Sequence, residues 1–377
     1  MKKKWLKVTA ILGMVTMLGV TVMGCTTQPT EPNAPAEVQG EGDEAQAADD
    51  TQATDAAQAT DDTQTASAEG GKTYGYITPG PDTWYQRNVD GYTMGADKAG
   101  NKVIVLNSDY DASKEVANID SMINQGVDAL CIFSFNENGA KIAAEKCAEA
   151  GIPLVAVDSC GTALDSESDI VAAVDFDWTE MGNNYAEWMA ENRPDENFVI
   201  ITGNFESVPC QMINAAMTAK AAELGKNELV DTREGKYDPS EAVNVAQDLI
   251  SSGKEFSIIF VMNEDMAAAV VQMLETNGVA DQYTVISQNG SPAGLPLIKE
   301  GKLDYTISSS PGWEGLVSYL VLAQHVNGES NELNQAILLP IMPVNQENID
   351  DPSKVVPWEV NDIYWDLSKE YFPELVK

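Results

Sequence analysis

His325 is the only histidine in the chain, and it stands on an apolar helical stretch near the end of the body. An imidazole in such a place packs or meets solvent more often than it catalyses. A serine or cysteine nucleophile needs a base within hydrogen-bond reach, so hydrolase and transferase chemistry has little to be built from. The sequence also contains no Gly-rich phosphate loop, His-Glu-x-x-His or Gly-x-Ser-x-Gly run. Asp175, Asp177 and Glu180 place three acids close together. A calcium loop of the EF-hand type needs further oxygen ligands and a central glycine at fixed offsets, which this stretch lacks. After Cys25 the thiols are Cys131, Cys147, Cys160 and Cys210, with no Cys-x-x-Cys pair, so neither a zinc site nor a thioredoxin-like site is expected. The chain should carry no metal and no cofactor, and its chemistry should be recognition.

Its N-terminus sets the compartment. Lys2, Lys3, Lys4 and Lys7 precede an apolar run from Val8 to Met23, which closes on Val22-Met23-Gly24-Cys25. A basic head, a short apolar segment and small residues at a cleavage point form a secretory signal. The run is short for a membrane span. A small residue directly before the cysteine resembles the lipobox of bacterial lipoproteins, which implies acylation of Cys25 and a mature chain held at the extracytoplasmic face of the cell membrane. More than one acyl chain gives stable anchoring. In that compartment disulfides are permitted; Cys160 with Cys210 is one pairing, and buried free thiols are the expected state.

Residues 26–71 contain eleven acids, no lysine or arginine and no aromatic. Such a segment cannot offset its ordering entropy by burial, so it reads as a disordered acidic tether reaching on the order of 40 Å. The body from residue 72 carries 48 acids against 18 bases. That balance offers no footprint for nucleic acid or for anionic lipid. About 300 residues exceed what one hydrophobic core usually supports, so two domains are expected.

The body alternates short apolar runs with longer amphipathic stretches. Tyr74–Ile77, Val103–Leu106, Ala129–Phe133, Leu154–Val157, Phe198–Thr202, Ser257–Val261 and Tyr283–Ser287 read as buried strands. Glu115–Gln125, Asn138–Ala150 and Met181–Asn192 have helical spacing. Strand then helix, repeated, indicates an α/β, doubly wound fold with parallel sheets covered on both faces. Ligands of such sheets sit beyond the carboxyl ends of the strands.

Two sets of phrases sharpen this reading. Gly126-Val127-Asp128-Ala129-Leu130 and Ala150-Gly151-Ile152-Pro153-Leu154-Val155-Ala156-Val157-Asp158 resemble the first lobe of the ribose and galactose type of periplasmic binding protein. Asn263-Glu264-Asp265-Met266-Ala267, Gly290-Ser291-Pro292 and Glu300-Gly301-Lys302-Leu303 resemble the second. The resemblance runs in order over nearly all of residues 73–330. It implies a type 1 periplasmic binding protein fold, in which two doubly wound lobes joined by a three-strand hinge close on a ligand. The chain would cross near Val174, Ser308 and Leu339. The lobes would then be 72–174 with 309–339, and 175–308, with 340–377 packing across both as an extension containing Trp358, Tyr364 and Trp365.

Site residues follow from the same resemblance. Asp82-Thr83-Trp84-Tyr85 and Tyr237-Asp238 stand where the family clamps the faces of a sugar ring, whose axial C–H bonds stack on aromatics. Tyr85 and Tyr237 form the implied clamp, with Trp84 beside them and Trp178 as a further stacking surface. Asp158 matches the family aspartate after the fourth strand, and Asn263 matches the family asparagine. Four positions depart from the ribose pattern. Ser159 and Gln211 replace arginines, Asn289 replaces an aspartate, and Ser309 replaces the hinge glutamine. Losing two guanidinium forks removes much of the fixed polarity of the pocket. The implied ligand is therefore a small neutral solute other than ribose, such as a substituted sugar, a polyol or a nucleoside. The resemblance implies a binding protein that delivers its ligand to ABC permease subunits, not an enzyme. The alternative is a receptor presenting its closed form to a chemoreceptor or histidine kinase. Trp313 reads as structural.

Overall fold

The computed structural model describes residues 71–134, 136–159 and 161–376. The signal segment, Cys25, Cys160 and, except for Gly71, the expected tether lie outside them. The chain begins with β1 (Thr73–Thr78), α1 (Thr83–Lys98), β2 (Lys102–Asn107), α2 (Ala112–Gln125), β3 (Ala129–Phe133), α3 (Glu137–Ala150), β4 (Leu154–Val157) and β5 (Ala172–Phe176). A second series comprises α4 (Trp178–Asn192), β6 (Phe198–Thr202), α5 (Val208–Leu224), β7 (Leu229–Glu234), α6 (Pro239–Ser251), β8 (Ile258–Val261), α7 (Glu264–Thr276), β9 (Thr284–Ser287) and α8 (Leu295–Glu300). The chain then returns through β10 (Thr306–Ser308), α9 (Pro311–Val326) and β11 (Gln335–Leu339), and ends with β12 (Met342–Val344) and α10 (Ile363–Tyr371).

These strands form two parallel sheets, ordered β11-β5-β4-β3-β1-β2 and β7-β6-β8-β9, and a short antiparallel ribbon of β10 with β12. β4, β8 and β9 are buried throughout, as continuous apolar runs covered on both faces should be. The chain leaves the first sheet after β5, returns to it at β11 by way of β10 and α9, and leaves it again for β12. Strand order reverses between β1 and β3 in the first sheet and between β6 and β8 in the second. At such switch points the loops at the strand carboxyl ends splay apart and leave a crevice.

The first lobe's crevice depends on how α1 meets α9. A Cβ on Gly91 would lie 1.8 Å from the Gly312 carbonyl oxygen, and one on Gly315 would lie 1.9 Å from the Asn88 carbonyl oxygen. Bare backbone on both helices therefore allows an approach that any side chain would block. Residues Pro311–Ala323 of α9 are all buried, and Glu314 is the only charged residue among them.

Candidate ligand-binding site

The first wall grows from the loop after β1. Trp84 and Tyr85 lie in the opening turn of α1. Tyr85 packs edge-on to Phe133, with ring centres 4.8 Å apart, and also meets Tyr110. The Trp84 indole Nε1 donates to Asp158 Oδ2 over 3.3 Å. Its ring meets Phe176 at the end of β5, and Phe176 in turn meets Trp178 at 5.4 Å. Asp158 follows β4 with φ of 49°, and its backbone N–H donates to the Val174 carbonyl. That left-handed turn ends the strand and sets the carboxyl between Trp84 and Glu314, at the cost that non-glycine residues bear in this region.

A polar chain runs back from Asp158 into the core. Glu314, buried on α9, is hydrogen-bonded to Asp158. Its Oε2 accepts from Asn88 Nδ2 at 2.8 Å, and Asn88 Oδ1 accepts from the Tyr76 hydroxyl at 2.7 Å. Burial and the facing carboxyls of Asp158 and Asp175 hold the Glu314 carboxyl well above the usual range. Burial pushes Asp158 up to about 7, against the pull of its bonds to Glu314 and Trp84. Glu314 is thus the group that keeps its proton and donates it, because a buried carboxylate beside two others is the least favourable ion. Ser159 Oγ and Trp178 Nε1 are buried without a hydrogen-bond partner among the described residues. An unpaired buried donor of this kind costs about 1–3 kcal/mol, so native folds keep them mainly where a ligand or water completes them.

The second wall uses the same local device. Lys236 and Tyr237 have φ of 57° and 56°, as Asp109 and Tyr110 in the first lobe have φ of 49° and 56°. In each case an aspartate caps the next helix, Asp238 on Glu241 N–H and Asp111 on Ser113 and Lys114 N–H. Each tyrosine ring lies over a glycine: a Cβ would fall 2.3 Å from the Tyr237 ring at Gly203 and 2.0 Å from the Tyr110 ring at Gly80. The Tyr237 hydroxyl contacts Cys210 Sγ at 3.0 Å, and the residue as a whole is 42% exposed. Tyr85 lies within electrostatic reach of Tyr237. Cys131, Cys147 and Cys210 are buried free thiols.

Deeper in this wall, Asn263 Oδ1 caps α7 by accepting from Met266 N–H at 3.0 Å. Glu264 is fully buried; its carboxylate accepts from Gly290 N–H, from Ser291 N–H and from the Thr306 hydroxyl. Burial pushes its carboxyl up to about 7, and those donors oppose the shift. They clamp the loop that carries Asn289, whose φ is 128°. Ser309 is buried, with its N–H on the Asn289 carbonyl and its Oγ accepting from Gln288 Nε2. A glutamine therefore does reach the hinge, from the neighbouring loop.

Of the expected residues, Trp84, Asp158, Ser159 and Trp178 gather at the carboxyl ends of β4 and β5, with Tyr85 beside them. Asn289 and Ser309 adjoin at the crossing. Gln211 is exposed, and its side-chain amide is used by the Phe205 carbonyl at 2.7 Å, so it stands at the rim. Asp177 is used as the cap of α4. Among the described residues, no group of three His, Cys, Asp or Glu side chains is arranged to hold a metal ion. Trp313 is structural: its Nε1 donates to Ser368 Oγ, and its ring packs on Tyr371 and Phe372. Glu314, Asn88, Phe176 and Glu264 were missed by reading the sequence. A lone acid in an apolar helix was the available signal for Glu314. A groove of about 650 Å³ lined by residues such as Arg193, Ser257, Thr284 and Lys302 lies at the amino ends of β8 and β9, the wrong end of the sheet for this site.

Aromatic faces, one carboxyl with a raised pKa, and buried unpaired donors suit an uncharged, hydroxylated molecule better than an ion. Among the described residues of the cleft, no nucleophile is hydrogen-bonded to a histidine or other base in the manner of a catalytic pair.

Residues 74–330 match the family described as periplasmic binding protein domain. The ribose import binding protein of Salmonella typhimurium is 24% identical over 253 residues, covering 67% of this chain and 84% of that one. The fructose import binding protein of Bifidobacterium longum is 24% identical, covering 65% and 77%. Among solved structures, an ABC transporter solute-binding protein of Bacillus halodurans with bound myo-inositol has a TM-score of 0.67 at 23% identity, covering 76% of this chain and 98% of that one. A Burkholderia graminis solute-binding protein in complex with D-arabinose has a TM-score of 0.67 at 18% identity, covering 74% and 97%. With a match over more than half of its length and the two-lobed fold to go with it, this chain belongs to the periplasmic binding protein domain family.

Proposed function

We propose that the protein is the solute-binding component of an ABC importer, taking a neutral monosaccharide or cyclitol into the cleft between its lobes and presenting the closed form to permease subunits. The observation that carries this reading is the constellation at the ends of β4 and β5. There Trp84 and Trp178 offer indole surfaces beside the Asp158 carboxyl and the buried Ser159 hydroxyl. Stacking on C–H faces with a carboxylate accepting from hydroxyls is the chemistry of sugar recognition. The relatives support it, since their names are those of ribose and fructose import proteins. The absence of arginine at positions 159 and 211 favours a ligand other than ribose.

On this reading the lobes are 72–174 with 309–339, and 175–308, with 340–377 as an extension. Cys25 is acylated and holds the protein at the extracytoplasmic face of the membrane, with residues 26–71 as tether. The test is uptake of the radiolabelled ligand in cells lacking the gene. Lost uptake, restored by the wild-type gene, supports the importer; unchanged uptake alongside retained binding sinks it in favour of a sensory receptor. Palmitate labelling that persists in Cys25→Ala sinks the anchor.

A further inference from the structure

The C-terminal segment lies beyond the family match, which ends at residue 330, yet it enters the cleft. After β12 the chain is pinned to the crossing where Val356 N–H donates to Ser308 Oγ at 3.1 Å. The next turn is held by the Tyr364 hydroxyl, which donates to the Pro357 and Glu359 carbonyls. Between these anchors sits Trp358. Its indole is 7% exposed but belongs to neither of the two apolar cores. Its ring meets Trp84 edge to face at 5.3 Å, and its Nε1 donates to the Asn289 carbonyl at 3.2 Å.

A buried tryptophan outside the core therefore touches one expected ligand residue from each lobe. Its N–H is already used, so what it can offer is ring surface. We infer that Trp358 is a wall of the ligand site, supplied by the C-terminal segment, and that it selects compact six-membered rings, pyranoses or cyclitols, over nucleosides and disaccharides. The inference rests on the proposed function and deepens it. The anchors at Val356 and Tyr364 hold the indole independently of any ligand. Its position is thus built in, and a preorganised aromatic face adds affinity without an ordering cost at binding. Because it bridges Trp84 and Asn289, a ligand large enough to reach past that bridge would have to displace the indole.

The experiment is calorimetric titration of the purified full chain with myo-inositol, D-allose, adenosine and maltose, comparing wild type with Trp358→Ala and Trp358→Phe. Loss of one stacking face should weaken the best monocyclic probe about tenfold in Trp358→Ala. The ratio of its affinity to that of adenosine or maltose should fall by at least as much, while Trp358→Phe stays within about threefold of wild type. A purely structural residue would lower the melting temperature and leave those ratios unchanged; that result overturns the inference. If Trp358→Ala does not fold, Trp358→Leu gives the same readout of ratios. A wild type that binds none of the four probes overturns the proposed function and this inference together. Binding by the wild type with unchanged ratios in the variants overturns the inference alone.

Discussion

Replacing Glu314 with glutamine should make the protein less sensitive to rising pH. In the native state Glu314 stays protonated, and Asp158 titrates at about 7 because both are buried together. In the unfolded chain both ionise near pH 4. Between pH 5 and 7 the native state thus holds protons that the unfolded state has released, and stability falls as pH rises, by about 1.4 kcal/mol per pH unit for each proton held. The stability these carboxyls contribute is complete below pH 4 and is lost as pH climbs through 7. Glutamine has nearly the same shape. Its carbonyl can accept from Asn88 Nδ2, and its amide can donate to Asp158, so the packing of α1 on α9 should survive. One held proton disappears outright, while Asp158, which already accepts from a neutral donor in the wild type and is raised by burial, should still titrate at about 7. Over two pH units the variant should therefore gain about 3 kcal/mol relative to wild type. Urea unfolding of both proteins at pH 5, 6 and 7 reads this difference as converging or crossing midpoints. Parallel curves would refute the shared-proton reading of the pair.

Two further outcomes follow from the packing. Gly91→Ala drives a methyl to 1.8 Å from the Gly312 carbonyl oxygen; by forcing α1 from α9 it should cost about 1–3 kcal/mol, measurable as a lower urea midpoint, and an unchanged midpoint would mean the helices are not in that contact. Tyr237→Ala should expose the Cys210 thiol, now buried beneath the phenol. Alkylation by iodoacetamide, followed by mass spectrometry, should speed up at Cys210 and stay slow at Cys131, which lies in the core of the first sheet.

Much of the scaffold was legible because parallel sheets are unusually plain in sequence. β1, β3, β4, β6, β8 and β9 are buried apolar runs, and their extents match the reading to within a residue or so. β5 was less visible as a strand because Asp175 interrupts it, and β7 because Asp231, Arg233 and Glu234 give it the polar face of a sheet edge. The loops were placed by resemblance, and Asp158, Trp84, Ser159 and Trp178 do come together. What stayed hidden depends on contacts far apart in the chain. Glu314 reaches Asp158 only because glycines on two helices, more than two hundred residues apart, let their backbones touch. Tyr110 as the counterpart of Tyr237 emerges only when the paired left-handed turns are compared. Trp358 was visible as part of an extension, but its place between Trp84 and Asn289 depends on where that segment crosses the lobes.

The central claim is that the cleft binds a neutral hydroxylated ring through Asp158. The most direct measurement is calorimetric titration of the purified full chain with a panel of neutral monosaccharides and cyclitols, repeated with Asp158→Ala. The account predicts one-to-one binding of at least one of them by the wild type. In the variant that affinity should weaken by about 30-fold or more, the range expected for losing hydrogen bonds to a charged acceptor. Binding that is indifferent to Asp158→Ala, or no binding of any neutral ring by the wild type, would contradict it.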